Sequence, residues 1–505
     1  MAASVVSALR WWARTKGEQT ALIVAQDEVS YSALESWSSR FARRLADTGV
    51  GPGDRVGLLG GNSLDWCVAA LGILKTGAVL VPLNPRLVAA ELRKILTDAD
   101  ARLVVADPAG LQVMPAVQAQ MPGLGTYPLT GVPELREGAQ DHFVVDIDPT
   151  DPSIVLFTSG TTGLSKGVIC TNQTLLNIAF EFTLTEEGMR PGSRSLLVLP
   201  LAFTPGLVTG LCVTTLLGGT LVVEPSFDPG RAVNLLQRHR ITTIFGVPLI
   251  FEAMSKSPEF ARADLSSIKM AITGGAPVPV RLLEAWGAKG VALRQIYGLT
   301  EVGGVGTSTR PEHAAEHPDS CGTGSIFTDF KVIRDDGTPC DPDEPGEVLL
   351  RGPGVTPGYW RDPENTARAL RGGWLYTGDL GVVDAEGRLR FVDRMKDLII
   401  SGGINISPVE IEQVISGLDG VEEVAVISAE DEKFGETPAA ILVTTGQHDP
   451  RVVIEHCSRE LADFKVPRYV VFRDEPLPRL PSGKLAKVAI RREYTDIPAK
   501  YERVR

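Results

Sequence analysis

The sequence predicts an α/β protein in two parts. A large N-terminal domain of mostly parallel sheets carries a small β-barrel-like region, and a smaller C-terminal α+β domain follows. Three successive textures along the 505 residues carry that expectation. Up to residue 321, short apolar runs alternate with helical periodicity, the pattern of βαβ units that build parallel sheets. From 322 to 393, short β-rich segments are punctuated by Gly, Pro and Asp, as in Gly346-Glu347-Val348-Leu349-Leu350-Arg351-Gly352, which reads as a distorted barrel or small antiparallel sheet. Residues 394–396 then join this N-terminal domain, 1–393, to a C-terminal unit, 397–505, of ordinary domain size.

The elements follow in order. Ser32-Ala33-Leu34-Glu35 has the form of a capping box opening a helix that Gly49 ends. Leu34, Trp37, Phe41 and Leu45 recur at helical spacing and belong to the core. Strand 55–59, helix 64–75, strand 79–81, helix 89–97 and strand 103–105 alternate, and the apolar run Ile154-Val155-Leu156-Phe157 is a buried strand. Further strands are expected at 195–199, 242–245, 270–273 and 293–295. In the C-terminal unit, Ser407-Pro408-Val409-Glu410 is a second capping box with proline at the first helical position. Strands 424–427 and 439–443 and helix 452–462 follow it.

A formal net charge of −12 argues against a polynucleotide or an anionic membrane as the main partner. The six cysteines are scattered without a CxxC pair, which suits free thiols in a reducing compartment. The first twenty residues lack a long apolar core before Arg10, Arg14 and Lys16, so no secretory signal is expected. The most apolar stretch, 67–83, is interrupted by Lys75, Gly77 and Pro82, so no membrane span is expected and the chain reads as cytoplasmic.

The chemistry centres on Thr158-Ser159-Gly160-Thr161-Thr162-Gly163-Leu164-Ser165-Lys166-Gly167-Val168, directly after the 154–157 strand. Three glycines let backbone N–H groups approach phosphate oxygens, five hydroxyls add donors, and Lys166 supplies a positive charge. The loop is not a Walker A, because Lys166 precedes Gly167 rather than Ser or Thr. Gly163-Leu164-Ser165-Lys166-Gly167 matches the GxSxG nucleophile elbow in form, but Ser165 lies eight positions beyond Phe157 instead of tightly at the strand end. His313-Ala314-Ala315-Glu316-His317 matches a zinc-protease pattern, yet Pro311 and Pro318 leave no room for the helix that pattern needs.

The 158–168 loop resembles the phosphate loop of the adenylate-forming superfamily of acyl-CoA synthetases, adenylation domains and luciferases, with Ser165 where proline is usual. Tyr297-Gly298-Leu299-Thr300-Glu301, Tyr376-Thr377-Gly378-Asp379, Asp393-Arg394-Met395-Lys396-Asp397 and Pro481-Ser482-Gly483-Lys484 are similar to the superfamily's later motifs, in the same order. The chain is most like a stand-alone acyl-CoA synthetase. The resemblance implies Lys484, Thr300, Glu301 and Lys166 as catalytic residues. ATP and AMP would be bound by Thr158, Ser159, Gly160, Thr161, Thr162, Gly163, Gly275, Ala276, Pro277, Tyr297, Gly298, Thr300, Asp379 and Arg394. Tyr297 would stack on adenine, Asp379 would accept from the ribose hydroxyls, Glu301 would hold Mg²⁺ and Lys396 would be the pivot of a mobile C-terminal lid. Ser401, Gly402 and Gly403 would line the path of coenzyme A.

The implied reaction has two halves. A carboxylate attacks the α-phosphorus of ATP to give acyl-AMP and pyrophosphate, and the thiol of coenzyme A then attacks the adenylate. Candidate acyl-pocket residues Phe203, Pro205, Gly206, Leu207, Phe245, Gly246, Val247, Gly275, Gly298, Leu299 and Gly303 include no charge. A second ionic group on the acid would therefore be left unpaired, which favours a hydrophobic monocarboxylate that is medium-chain, aryl or polycyclic. Phe203 in Pro200-Leu201-Ala202-Phe203 is a departure, because many acyl- and aryl-CoA synthetases carry histidine there. A carrier-protein phosphopantetheine is the alternative thiol, and a homodimer is a further expected association. A non-catalytic nucleotide-binding protein would not need both Glu301 and Lys484.

Overall fold

The computed structural model describes residues 2–138, 141–158, 166–275, 278–401, 404–446, 449–480 and 484–505, with only the backbone at 396 and 405. Four sheets organise them. In the eight-stranded sheet, Thr20–Val24, Thr220–Val223, Arg194–Leu197, Thr243–Gly246, Met270–Gly274 and Leu293–Tyr297 run parallel. Antiparallel strands Asp27–Ser30 and Thr307–Ser308 close its two edges.

The six-stranded sheet joins Gly125–Pro128, Leu103–Ala106, Arg55–Leu59, Val79–Leu83 and Pro152–Thr158 in parallel. Its last strand, Lys166–Thr171, is antiparallel to Pro152–Thr158. The glycine-rich loop thus follows one strand and precedes its antiparallel neighbour.

The largest core cluster lies between these two sheets, with Leu58, Leu80 and Ile154 on one side and Leu22, Leu197, Leu221 and Met270 on the other. Helix Leu64–Lys75 is buried at every residue but Asp65. That burial includes its last residue: Lys75 Nζ lies 2.6 Å from Glu35 Oε2, with both side chains at most 2% exposed. The pair corrects the first capping box. Helix Tyr31–Asp47 starts from Ser30, whose hydroxyl accepts from Ala33 N, and Glu35 turns inward to neutralise Lys75 instead of capping the helix.

A five-stranded antiparallel sheet, Asp329–Ile333, Gly346–Arg351, Leu370–Arg371, Trp374–Val383 and Leu389–Arg394, forms the β-rich region. A 3₁₀ turn, Met395–Asp397, leads from it to the fourth sheet. There Ile399–Ser401, Ile404–Ile406, Val421–Asp431 and Gly435–Thr444 are antiparallel and Tyr469–Arg473 runs parallel to Gly435–Thr444. Helix Pro408–Ser416 has Ser407 as its N-cap, accepting from Glu410 N. The Glu410 side chain does not complete a reciprocal box, because Lys465 Nζ takes both its oxygens at 2.6 and 2.7 Å. No helix among the described residues is long and apolar enough to cross a membrane.

Candidate active site

The turn after strand Leu293–Tyr297 is the spine of the site, because successive residues reach into three neighbouring segments. Tyr297 ends that strand, and its hydroxyl donates to Asp379 Oδ2 at 2.8 Å. The other Asp379 oxygen lies 3.2 Å from Arg394 Nε. Asp379 and Arg394 are paired across the adjoining strands Trp374–Val383 and Leu389–Arg394, so antiparallel register sets their approach. Burial pushes the Tyr297 phenol well above the usual tyrosine range, and the neighbouring Asp379 charge adds to it. Its ring packs almost parallel to Phe391, with centroids 5.9 Å apart. The expected adenine platform is therefore a buried ring with one face on Phe391 and its hydroxyl engaged by Asp379.

Thr300 and Glu301 follow on a single 3₁₀ turn, Thr300–Val302. Thr204 Oγ1 donates to Thr300 Oγ1 at 3.0 Å. Glu301 Oε1 accepts from Tyr359 Oη at 2.9 Å, and Lys166 Nζ sits 4.9 Å from the centroid of the same tyrosine ring. No cation within 4 Å offsets Glu301 in any described ion pair, and among the described residues no group of three or more acidic, His or Cys side chains could hold a metal alone. A single half-buried carboxylate whose only described partner is a neutral phenol suits a hard cation that keeps waters and phosphate oxygens as its other ligands, as Mg²⁺ does.

Lys484 comes from the C-terminal unit and reaches the large domain. A methyl placed on Gly275, which has φ +77°, would lie 2.6 Å from Lys484 Cε and 3.1 Å from Nζ. Desolvation lowers the pKa of this ammonium, the Arg394 charge lowers it further, and Asp379 partly opposes both. The two units are also tied beside the turn at 395–397. Asp393 Oδ2 accepts from Ser407 Oγ at 2.8 Å and from Val409 N at 3.1 Å, and within the C-terminal unit Asp397 Oδ1 lies 2.9 Å from Arg491 Nη1.

Several of the acyl candidates lie in or just before an unusual element. Residues Pro205–Val213 form a π-helix, a rare geometry that is frequent at functional sites, where helical periodicity alone predicts an α-helix. Phe203 is half-buried before it, and Pro205 is its first residue. Leu207 is fully buried, and Phe245 meets Phe182 edge-on at 6.3 Å. Val247, Gly298 and Leu299 are half-buried at the neighbouring strand ends. Gly206 is required for packing, since a side chain there would meet Pro200 O, and a side chain at Gly303 would meet Ile178. Gly246 faces the other way: a methyl there would lie 2.8 Å from Phe251 Cε2, so it offers the acyl side only backbone.

Among the remaining expected residues, Thr158 ends its strand and Ser401 is buried in strand Ile399–Ser401. Lys396 has its backbone in the 395–397 turn. Ser159, Gly160, Thr161, Thr162, Gly163, Ala276, Pro277, Gly402 and Gly403 lie outside the described residues, as do the first three residues of the Pro481-Ser482-Gly483-Lys484 motif. Tyr359, Thr204 and Phe391 were not singled out from the sequence. Only Gly358-Tyr359-Trp360, a glycine ahead of two aromatics, offered a signal.

Tyr297, Asp379, Arg394 and Lys484 come together as the resemblance to adenylate-forming enzymes implies. The chain belongs to the AMP-binding enzyme family: residues 9–360 match its main model and residues 410–484 its C-terminal domain. It is 38% identical to a long-chain-fatty-acid–CoA ligase of Mycobacterium tuberculosis, over 92% of this chain and 93% of that protein. It is 36% identical to a feruloyl-CoA synthase of Amycolatopsis sp, over 95% and 97%. ATP-bound MatB of Rhodopseudomonas palustris superposes with a TM-score of 0.90 at 31% identity, covering 98% of this chain and 100% of that one. The apo form of MatB, with the same coverage, gives 0.78.

Proposed function

We propose that the protein is an ATP-dependent acyl-CoA synthetase that activates a hydrophobic monocarboxylic acid as its acyl-adenylate and transfers it to coenzyme A in the cytoplasm. The contact of Lys484 with Gly275 carries the reading, because it puts a cation from the C-terminal unit beside the Tyr297–Asp379–Arg394 cluster. The better superposition on ATP-bound than on apo MatB supports an adenylating arrangement.

In the first half-reaction Lys484 bridges the substrate carboxylate and the α-phosphate, screening two anions that must approach each other. Thr300 donates to the α-phosphate and Lys166 faces the departing phosphates, so catalysis is mainly positioning and charge stabilisation. Asp379 and Arg394 fix the ribose. Mg²⁺, when bound, offsets phosphate charge, and Glu301 is the carboxylate that would hold it. The C-terminal unit then turns about residues 394–396, withdrawing Lys484 and exposing the Ser401 segment to the incoming thiol. Apolar neighbours Phe203, Leu207 and Phe245 suit an acid without a second charge, as do the fatty and aromatic acids named for the two relatives.

Pyrophosphate release across a panel of acids, repeated with coenzyme A and with a carrier protein, tests this reading. Adenylation of hydrophobic acids with transfer to coenzyme A is expected. Transfer to the carrier protein alone would establish the alternative acceptor, and preference for dicarboxylates would overturn the substrate class.

A further inference from the structure

We propose that Tyr359 is a positioning residue that sets the phosphate side of the site, orienting the Glu301 carboxylate with its hydroxyl and seating the Lys166 ammonium on its ring. The inference rests on the reading of Glu301 and Lys166 given above.

Tyr359 stands where two parts of the site meet. Its hydroxyl donates to Glu301 Oε1 at 2.9 Å, which leaves Oε2 for another partner. Lys166 Nζ lies 4.9 Å from its ring centroid, within cation–π range. The backbone around it reinforces both contacts. Residues 356–360 pair with strand Lys166–Thr171 through the Val168–Tyr359 bridge, with Ile169 N donating to Gly358 O at 3.1 Å and Trp360 N to Gly167 O at 2.7 Å. On the other side Thr356 N donates to Glu301 O at 2.7 Å. Tyr359 N itself donates to Thr366 Oγ1 at 2.9 Å, which anchors the segment to helix Pro363–Ala369.

One segment therefore clamps the strand that leaves the phosphate loop to the turn that carries Glu301. Tyr359 is 9% exposed, and its hydroxyl meets the Glu301 carboxylate as the donor of their hydrogen bond. A neutral donor orients the carboxylate without cancelling its charge, whereas a lysine or arginine here would compete with a bound cation. The ring likewise holds the Lys166 ammonium without pairing it to a carboxylate, leaving its donors for phosphate oxygens.

The test separates the hydroxyl from the ring. Calorimetric titrations would measure Mg·ATP and metal-free AMP binding in the wild type, Tyr359→Phe and Tyr359→Leu, without acid or thiol. Tyr359→Phe should raise the Mg²⁺ concentration for half-maximal ATP binding about tenfold, the scale of one hydrogen bond to a charged group. AMP affinity and melting temperature should stay unchanged. Tyr359→Leu should additionally weaken ATP binding at saturating Mg²⁺, because the seat of Lys166 is gone. In a Glu301→Gln background, Tyr359→Phe should add nothing to the Mg²⁺ requirement. An unchanged Mg²⁺ requirement in Tyr359→Phe, or equal losses for AMP and Mg·ATP, would overturn the assignment. Wild-type protein that bound no Mg·ATP would instead overturn the reading on which it rests.

Discussion

Gly275 and Lys484 meet across two folding units: a single methyl on the glycine would stand 2.6 Å from the lysine Cε. Gly275 also has φ +77°, so alanine there is strained as well as obstructive. Gly275→Ala should depress adenylation at least tenfold while coenzyme A attack on supplied acyl-adenylate is largely kept, because Lys484 is withdrawn in that step. Separate assays of pyrophosphate release and of thioester formation from synthetic adenylate measure the two. Equal losses in both would mean that this contact is not specific to the adenylating arrangement.

The protonation of Lys484 gives a second, independent handle. Its bridging role needs the ammonium, and burial lowers its pKa below the ordinary lysine range, so adenylation should fall with rising pH on a limb below that range. Arg394 pushes the pKa down and Asp379 pushes it up. Arg394→Gln should therefore move the alkaline limb of kcat/KM for ATP to higher pH, and Asp379→Asn should move it lower, whatever each does to the maximal rate. Limbs that stay in place in both variants would remove Lys484 from the titration.

The parts of the fold that depend on local pattern were legible. Strand Arg55–Leu59 and helix Leu64–Lys75 have the bounds their apolar spacing predicts. Where the sequence misled, a distant partner decided the outcome. Glu35 looked like a capping residue because its partner Lys75 is forty positions away. The antiparallel return of Lys166–Thr171 was not read from the sequence, because nothing in the glycine-rich loop signals it. The motif residues Tyr297, Asp379, Arg394 and Lys484 were found by resemblance and are brought together, while Tyr359 and Thr204 were missed because neither the short Gly358-Tyr359-Trp360 run nor a lone threonine says which distant residue it meets.

The buried Glu35–Lys75 pair makes a stability prediction remote from the site. Lys75→Met leaves a carboxylate with 1% exposure without its cation, which should cost about 3–5 kcal/mol in urea unfolding. His142 Nδ1, 3.6 Å from Glu35 Oε1, is too exposed to replace that cation. The double variant Glu35→Leu with Lys75→Met should recover most of the loss, since an apolar pair of similar volume removes both desolvation penalties. A double variant as unstable as the single one would show that packing, not charge, governs this position.

Phe203 tests the apolar character of the acyl site. It precedes the π-helix and adjoins Thr204 in the chain, whose hydroxyl is committed to Thr300, the residue expected to contact the α-phosphate. Only half-buried, it should lose less stability on truncation than the ~3–5 kcal/mol typical of a fully buried phenylalanine. Phe203→Ala should widen the site and raise kcat/KM for bulkier acids relative to the wild type's preferred one. Phe203→His keeps an aromatic ring but adds a polar edge that an apolar acid cannot satisfy. That variant should still adenylate, with discrimination against smaller or more polar acids reduced severalfold. The measurement is kcat/KM over an acid series for the three proteins, with melting temperatures to separate folding from specificity. An identical ranking of acids in all three would place Phe203 off the substrate path, and the apolar reading would then rest on Leu207 and Phe245 alone.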